Sequence, residues 1–117
     1  MAHSVLIVDD NARFRSRARR WLEASGFAVV AEAADGATAL EAVRNHRPAV
    51  VLLDVQLPDM SGLSVADRLT REPDPPAVVL TSTHEAGDFG DSAARCGARG
   101  FLPKADLSGE ALSALLA

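Results

Sequence analysis

The chain has 117 residues, 48% of them hydrophobic, a formal net charge of -4 and a pI near 5.2. That suits one domain with a real core and argues against nucleic-acid binding through bulk charge. A single cysteine, Cys96, excludes an internal disulfide, and there is neither a basic-then-apolar leader nor an apolar run long enough to cross a bilayer, so a soluble cytoplasmic domain over residues 1–117 is expected, without membrane or direct nucleic-acid contact.

The run SVLIV at 4–8 reads as a short strand and ends on the pair Asp9-Asp10. From Asn11 the period turns helical: Phe14, Ala18, Trp21 and Leu22 share one face, Asp10 or Asn11 is available as N-cap, and Gly26 is the stop. The other faces carry Arg13, Arg15, Arg17, Arg19 and Arg20, five of the chain's twelve basic residues. Such a cluster reads as a solvated helix surface or as a docking surface for an acidic partner, with Arg15 and Arg19 as candidate docking residues.

A second strand is expected at 27–31, and Asp35-Gly36 is a turn that opens a helix with Ala39, Leu40 and Val43 inside and Pro48 beyond its end. The run AVVLL at 49–53 then stops on Asp54. A run of Val and Leu without alternation, bounded by prolines, reads as a strand buried on both faces. The C-terminal tip of such a strand faces the crevice where open α/β sheets bind ligands, so Asp54 reads as a site residue, the plainer alternative being a turn cap.

Ser61 is placed to cap a third helix with Leu63, Val65, Ala66 and Leu69 as apolar positions, and EPDPP at 72–76 ends it. A fourth apolar run at 77–80 terminates in Thr81-Ser82-Thr83, hydroxyls where the earlier strands had acids. A weaker helix is expected over 85–96, because Gly87 and Gly90 each cost about 1 kcal/mol relative to Ala. A short strand with Phe101 and Leu102 ends at Pro103-Lys104, the only lysine, and a last helix at 107–117 has Ala111, Leu112, Leu115 and Leu116 on one face.

Five strands alternating with five helices imply a parallel sheet with right-handed crossovers. The expected fold is a flavodoxin-like, doubly wound α/β domain of strand order 2-1-3-4-5, which makes the first and third strands neighbours. That order brings Asp9, Asp10 and Asp54 together. Three carboxylates at close range repel unless a cation neutralises them, and oxygen-only ligands select a hard ion, Mg²⁺ first and Mn²⁺ or Ca²⁺ next. Thr81 and Lys104 arrive at the same edge as a hydrogen-bond donor and a positive charge. Phosphoryl transfer needs charge neutralisation and in-line positioning more than covalent help, and a carboxylate serves as nucleophile, for which Asp54 is the candidate.

The motifs VLIVDDN at 5–11, LLDVQLPDMSGL at 52–63, VVLTS at 78–82 and GFLPK at 100–104 resemble, in type, order and spacing, those of receiver domains of two-component response regulators. The resemblance implies that Asp54 accepts a phosphoryl group from a sensor histidine kinase, that Asp9, Asp10 and Asp54 hold Mg²⁺ with the Gln56 backbone carbonyl, and that Thr81 and Lys104 bind the phosphoryl oxygens. Phe101 stands where such domains keep a rotameric aromatic, and the surface of the fourth helix, fifth strand and fifth helix is the expected switch. DNxxFRxxxRxxLE in the first helix, with GFLPK, is most similar to receivers attached to a C-terminal helix-turn-helix of the LuxR type. An output in transcription regulation is therefore expected outside this chain, with homodimer formation on phosphorylation as an expected consequence. The departures are Pro103 before Lys104 with Ala105 after it, which leaves the isomer of the bonds around Pro103 open, and Phe101 where Tyr is commoner.

Three rivals share parts of the pattern. A haloacid-dehalogenase-like phosphatase would need an acid two residues after the nucleophile, where this chain has Gln56. A flavodoxin-like cofactor module would want a hydroxyl- and glycine-rich loop after the first strand, where this chain has Asp9-Asp10. A phosphorylation-independent receiver-like scaffold would not need every acceptor and metal position filled.

Overall fold

Strands whose side chains are buried on both faces must be apolar throughout and must be covered by a helix on each side. The computed structural model describes residues 3–83 and 96–116. Its elements are β1 (Ser4–Val8), α1 (Ala12–Ala24), β2 (Ala28–Ala33), α2 (Gly36–His46), β3 (Val50–Asp54), α3 (Gly62–Thr70), β4 (Ala77–Ser82), β5 (Gly100–Pro103), a 3-10 turn (Lys104–Asp106) and α4 (Gly109–Leu116). All four strand pairings are parallel, and the order is β2-β1-β3-β4-β5. The doubly wound sheet expected from the sequence is thus present. Of five expected helices four are described, and the one over 85–96 lies, but for Cys96, outside the described residues.

Side chains of the central strands alternate between two cores. Leu6, Val8, Val51, Leu53 and Leu80 pack with Ala39, Ala42, Val65, Ala66 and Leu69 of α2 and α3. Val5, Ile7, Val50, Leu52 and Val79 pack with Ala18 and Leu22 of α1 and Leu112 of α4. Each fully buried Leu, Ile or Val contributes roughly 1.5–3 kcal/mol, so displacing β1, β3 or β4 is costly. Their tips inherit that rigidity.

Local chemistry sets the helix starts. Asn11, not Asp10, caps α1, accepting from the N–H groups of Arg13 and Phe14. Asp35 caps α2 through the Thr38 N–H, and Ser61 caps α3 through the Leu63 N–H. At α4 the start is later than the periodicity suggests. Residues Lys104–Asp106 wind into a 3-10 turn, Leu107 is buried, and the Ser108 hydroxyl accepts from the Ala111 N–H. β2 runs two residues beyond its expected end because pairing with β1 continues to Ala33. The charged Glu32 that disguised this is exposed on the sheet edge. Among the described residues no peptide bond is cis, Leu102–Pro103 included, and no helix is long and apolar enough to cross a membrane.

Candidate functional site

The β1–β3 register pairs Val8 with Leu53, and the β3–β4 register pairs Asp54 with Thr81. The residues that follow or end these strands therefore meet at one edge. One carboxylate oxygen from each of Asp9, Asp10 and Asp54 lies within 4.8 Å of the others. Asp9 is fully buried, Asp54 is 5% exposed and Asp10 is open to solvent. The chain thus offers two walled ligands and one accessible from outside.

Lys104 closes the group. Its Nζ lies 2.6 Å from Asp9 Oδ2 and 3.2 Å from Asp54 Oδ2. It also sits 4.5 Å from the centroid of the Phe14 ring, whose face favours a cation. Two amides fix the carboxylates from the other side: the Asn11 N–H donates to Asp9 Oδ1 at 2.9 Å and the Gln56 N–H donates to Asp54 Oδ1 at 3.1 Å. Burial pushes the Asp54 carboxyl above its ordinary pKa, and the Asp9 charge adds to this, while the Gln56 N–H and Lys104 oppose it. Burial works against the Lys104 ammonium, yet the neighbouring Asp9 and Asp54 outweigh it and hold its pKa above the ordinary lysine value. The site is electrostatically strained toward holding more positive charge.

Thr81 is 1% exposed, and its Oγ1 has no hydrogen-bond partner among the described residues. A buried hydroxyl without a partner costs about 1–3 kcal/mol, and such a group at a site edge is suited to a ligand oxygen. Phe101 is half-buried against the α2–α3 side of the core. The β4–β5 register pairs it with Leu80, and Thr81 with Leu102, so Phe101 is not the direct cross-strand partner of Thr81.

The arginines of α1 divide. Arg15 Nε meets Glu32 Oε1 at 3.1 Å, and its Nη1 donates to the Asp9 carbonyl at 2.6 Å. Arg19 Nε meets Glu32 Oε2 at 2.9 Å and lies 3.8 Å from Glu23. The two expected docking residues are thus engaged inside the chain, Arg15 on the backbone of the acidic pair itself. Arg17 stacks 5.3 Å from the Trp21 ring. Arg13 and Arg20 are exposed.

Sequence reading missed the parts that Asp59 and Gly62 play in shaping the β3–α3 loop. The Gly36 and Ala37 N–H groups donate to Asp59 at 2.8 and 3.0 Å, and these bonds hold its carboxyl below the usual range. Gln56 pairs with Ser61, and the Gly62 N–H donates to the Val55 carbonyl at 2.6 Å. A Cβ at Gly62 would overlap the Asp54 carbonyl oxygen and lie 2.8 Å from Val55 Cα. The glycine directly after the Ser61 cap was the available signal for this approach.

Comparison with known proteins agrees with this fold. The response regulator receiver domain family matches residues 5–116. The chain is 40% identical over 110 residues to protein-glutamate methylesterase/protein-glutamine glutaminase 2 of a Shewanella species, covering 92% of this chain but 31% of that protein. It is 40% identical over 113 residues to the probable transcriptional regulatory protein NarL of Mycobacterium tuberculosis, covering 96% of this chain and 52% of the relative. The solved signal receiver domain of the putative response regulator NarL from Mycobacterium tuberculosis superimposes with a TM-score of 0.89 at 38% identity, over 98% of this chain and 94% of the other. The chain belongs to the response regulator receiver domain family, the phosphoryl-accepting signalling modules of two-component systems.

Proposed function

We propose that Asp54 is the residue that accepts the phosphoryl group and that Asp9, Asp10, Asp54 and the Gln56 backbone carbonyl hold Mg²⁺, with Mn²⁺ or Ca²⁺ as substitutes. The observation that carries this is a charge imbalance. Three carboxylates share one edge with a single ammonium, which leaves a net charge of -2 when all are ionised. At an effective dielectric near 20, two unit charges 4 Å apart repel by about 4 kcal/mol, so an all-oxygen group of this kind suits a divalent hard cation. When bound, the ion would neutralise the donor's oxygens and align the phosphorus with the nucleophile.

The chain's own residues supply the rest. Asp54 Oδ2 attacks phosphorus while the bond to the leaving group breaks: to the imidazole nitrogen of a sensor histidine kinase, or to the acetate oxygen of acetyl phosphate. The electron pair leaves with that group, and an acyl phosphate forms on Asp54. Lys104, already within reach of Asp54, turns to the new phosphoryl oxygens, and the buried Thr81 hydroxyl donates to another. Each charge-assisted bond contributes roughly 1.5–3 kcal/mol, enough to bias a two-state surface around β5 and α4. Phe101, off the Thr81 register, would respond through packing.

The names of the relatives support an attached output, transcriptional in one and enzymatic in the other, and the chain spans only part of each. We take transcription regulation through a helix-turn-helix outside this chain as the reading, with self-association on phosphorylation. A phosphatase is disfavoured by Gln56 two residues after Asp54. The test is intact mass after incubation with Mg²⁺ and acetyl phosphate. One phosphoryl group should be added, and chelation or Asp54→Asn should abolish it. Undiminished modification of the substituted chain would overturn the assignment.

A further inference from the structure

The opposite end of the sheet holds a second feature that phosphoryl chemistry does not use. α2 and α3 lie side by side on one face, and their C-terminal ends open into a trough of about 980 Å³. Its floor is apolar, formed by Leu40, Val43 and Leu69. Its banks are basic: Arg44 and Arg47 stand on the α2 side and Arg68 and Arg71 on the α3 side. On each bank the two arginines are three residues apart, and all four are exposed.

Three of these guanidinium groups, those of Arg44, Arg47 and Arg68, make no ion pair among the described residues. The fourth, on Arg71, meets Asp67 at 3.3 Å with the two side chains 78% and 41% exposed, a pairing worth about 0–1 kcal/mol and easily exchanged. Glu72 and Asp74 also border the trough, so its four positive and two negative groups sum to +2, on a chain whose net charge is -4.

Helix C-termini attract basic residues through the macrodipole, and this accounts in part for Arg44 and Arg68 in the last turns. It does not account for Arg47. That residue has φ 45° in the left-handed cap of α2, where glycine is the usual occupant and a side chain costs about 1–2 kcal/mol. Arg47 and Asp74, at φ 59°, are the two non-glycine residues at positive φ among the described residues, and both line this trough. Backbone strain of this kind concentrates where a side chain is needed for binding.

We propose that the trough is a docking site for an acidic, partly apolar peptide segment of a partner protein. Two separated basic banks over an apolar floor fit an extended chain that carries carboxylates along its length and lays an apolar side chain between them. A single phosphate would engage one bank and leave the floor empty. A long nucleic acid would be opposed by the acidic remainder of the domain. Pro48, Pro73, Pro75 and Pro76 border the trough, so part of its rim is already ordered and less entropy is lost on binding.

The proposal is independent of Asp54, and its test uses a displayed library of random short peptides selected on the folded chain, followed by titration of the best sequence into ¹⁵N-labelled protein. The expected result is enrichment of sequences combining acids with one or two apolar residues, with amide shifts centred on α2 and α3 C-terminal ends. Arg68→Glu should weaken binding about tenfold or more, and so should Arg47→Gly, which suits the backbone and keeps the fold. Arg20→Glu, on the other face of the sheet, should leave binding unchanged. Failure to enrich acidic sequences, binding unaffected by Arg47→Gly and Arg68→Glu, or tighter binding of single-stranded DNA than of the peptide would each overturn the proposal.

Discussion

Gly62→Ala is the substitution that most directly tests how the site is held. Gly62 is the first residue of α3, and its N–H donates to the Val55 carbonyl at 2.6 Å. A methyl there would collide with the Asp54 carbonyl oxygen and lie 2.8 Å from both the Asp54 carbonyl carbon and Val55 Cα. All three atoms are backbone of the most buried strand and the residue after it, so α3 must move instead. Overpacking of this kind costs about 1–3 kcal/mol, and losing the hydrogen bond adds about 1 kcal/mol. The better helix preference of Ala offsets up to about 1 kcal/mol, less in a first turn. A net loss of about 2–3 kcal/mol is expected, measured as a fall in the urea midpoint at unchanged slope. Because the displaced backbone carries the acceptor, phosphorylation by acetyl phosphate should slow by about tenfold or more. Gly26→Ala is the control: Gly26 has φ 92° and nothing within 4 Å of a built Cβ, so it should cost about 1–2 kcal/mol of backbone strain and leave the phosphorylation rate unchanged. A Gly62→Ala chain as stable as the parent and equally reactive would refute the close-approach argument.

Thr81→Val removes a buried hydroxyl that has no partner among the described residues and keeps the shape, so it should raise stability by about 1 kcal/mol in chemical denaturation; a loss of that size would mean the hydroxyl is already hydrogen-bonded. The Asp54 carboxyl titrates above its ordinary value in the fold, so folding binds its proton more tightly, and this group's contribution to stability falls as pH rises from the unfolded value through the folded one. Asp54→Asn should therefore raise Tm at neutral pH, with the gain vanishing below about pH 4; a gain independent of pH would exclude the electrostatic cause. Arg15→Glu should slow phosphorylation by acetyl phosphate and by a kinase alike, because Arg15 holds the Asp9 carbonyl. Slowing confined to the kinase reaction would return Arg15 to a docking role.

The parts of the site that were legible in the sequence share one cause. The central parallel strands are buried on both faces and stay apolar almost to their tips, so the polar residues at or just past those tips, Asp9, Asp54 and Thr81, mark the edge of the sheet without any need to know the packing, and Lys104 follows the half-buried β5 in the same way. Caps were legible for a similar reason, since Asn11, Asp35 and Ser61 act on residues two or three positions away. What was hidden depends on distance through space. Arg15 and Arg19 read as a docking surface because Glu32, their partner, stands 17 and 13 residues away on a strand end that a charge had disguised. Asp59 reaches α2 across 23 residues, and the closeness of Gly62 to Asp54 follows only from the angle at which α3 leaves the loop.

The central claim is that Asp54 itself carries the phosphoryl group as an acyl phosphate. Borohydride reduces an acyl phosphate to an alcohol and releases phosphate, converting a phosphorylated aspartate into homoserine, while free carboxylates are untouched. After brief phosphorylation by acetyl phosphate with Mg²⁺, reduction and peptide mass mapping should find homoserine at position 54 and at no other aspartate. Homoserine at position 9 or 10, or a phosphoryl group that survives borohydride on a hydroxyl or histidine, would contradict the account.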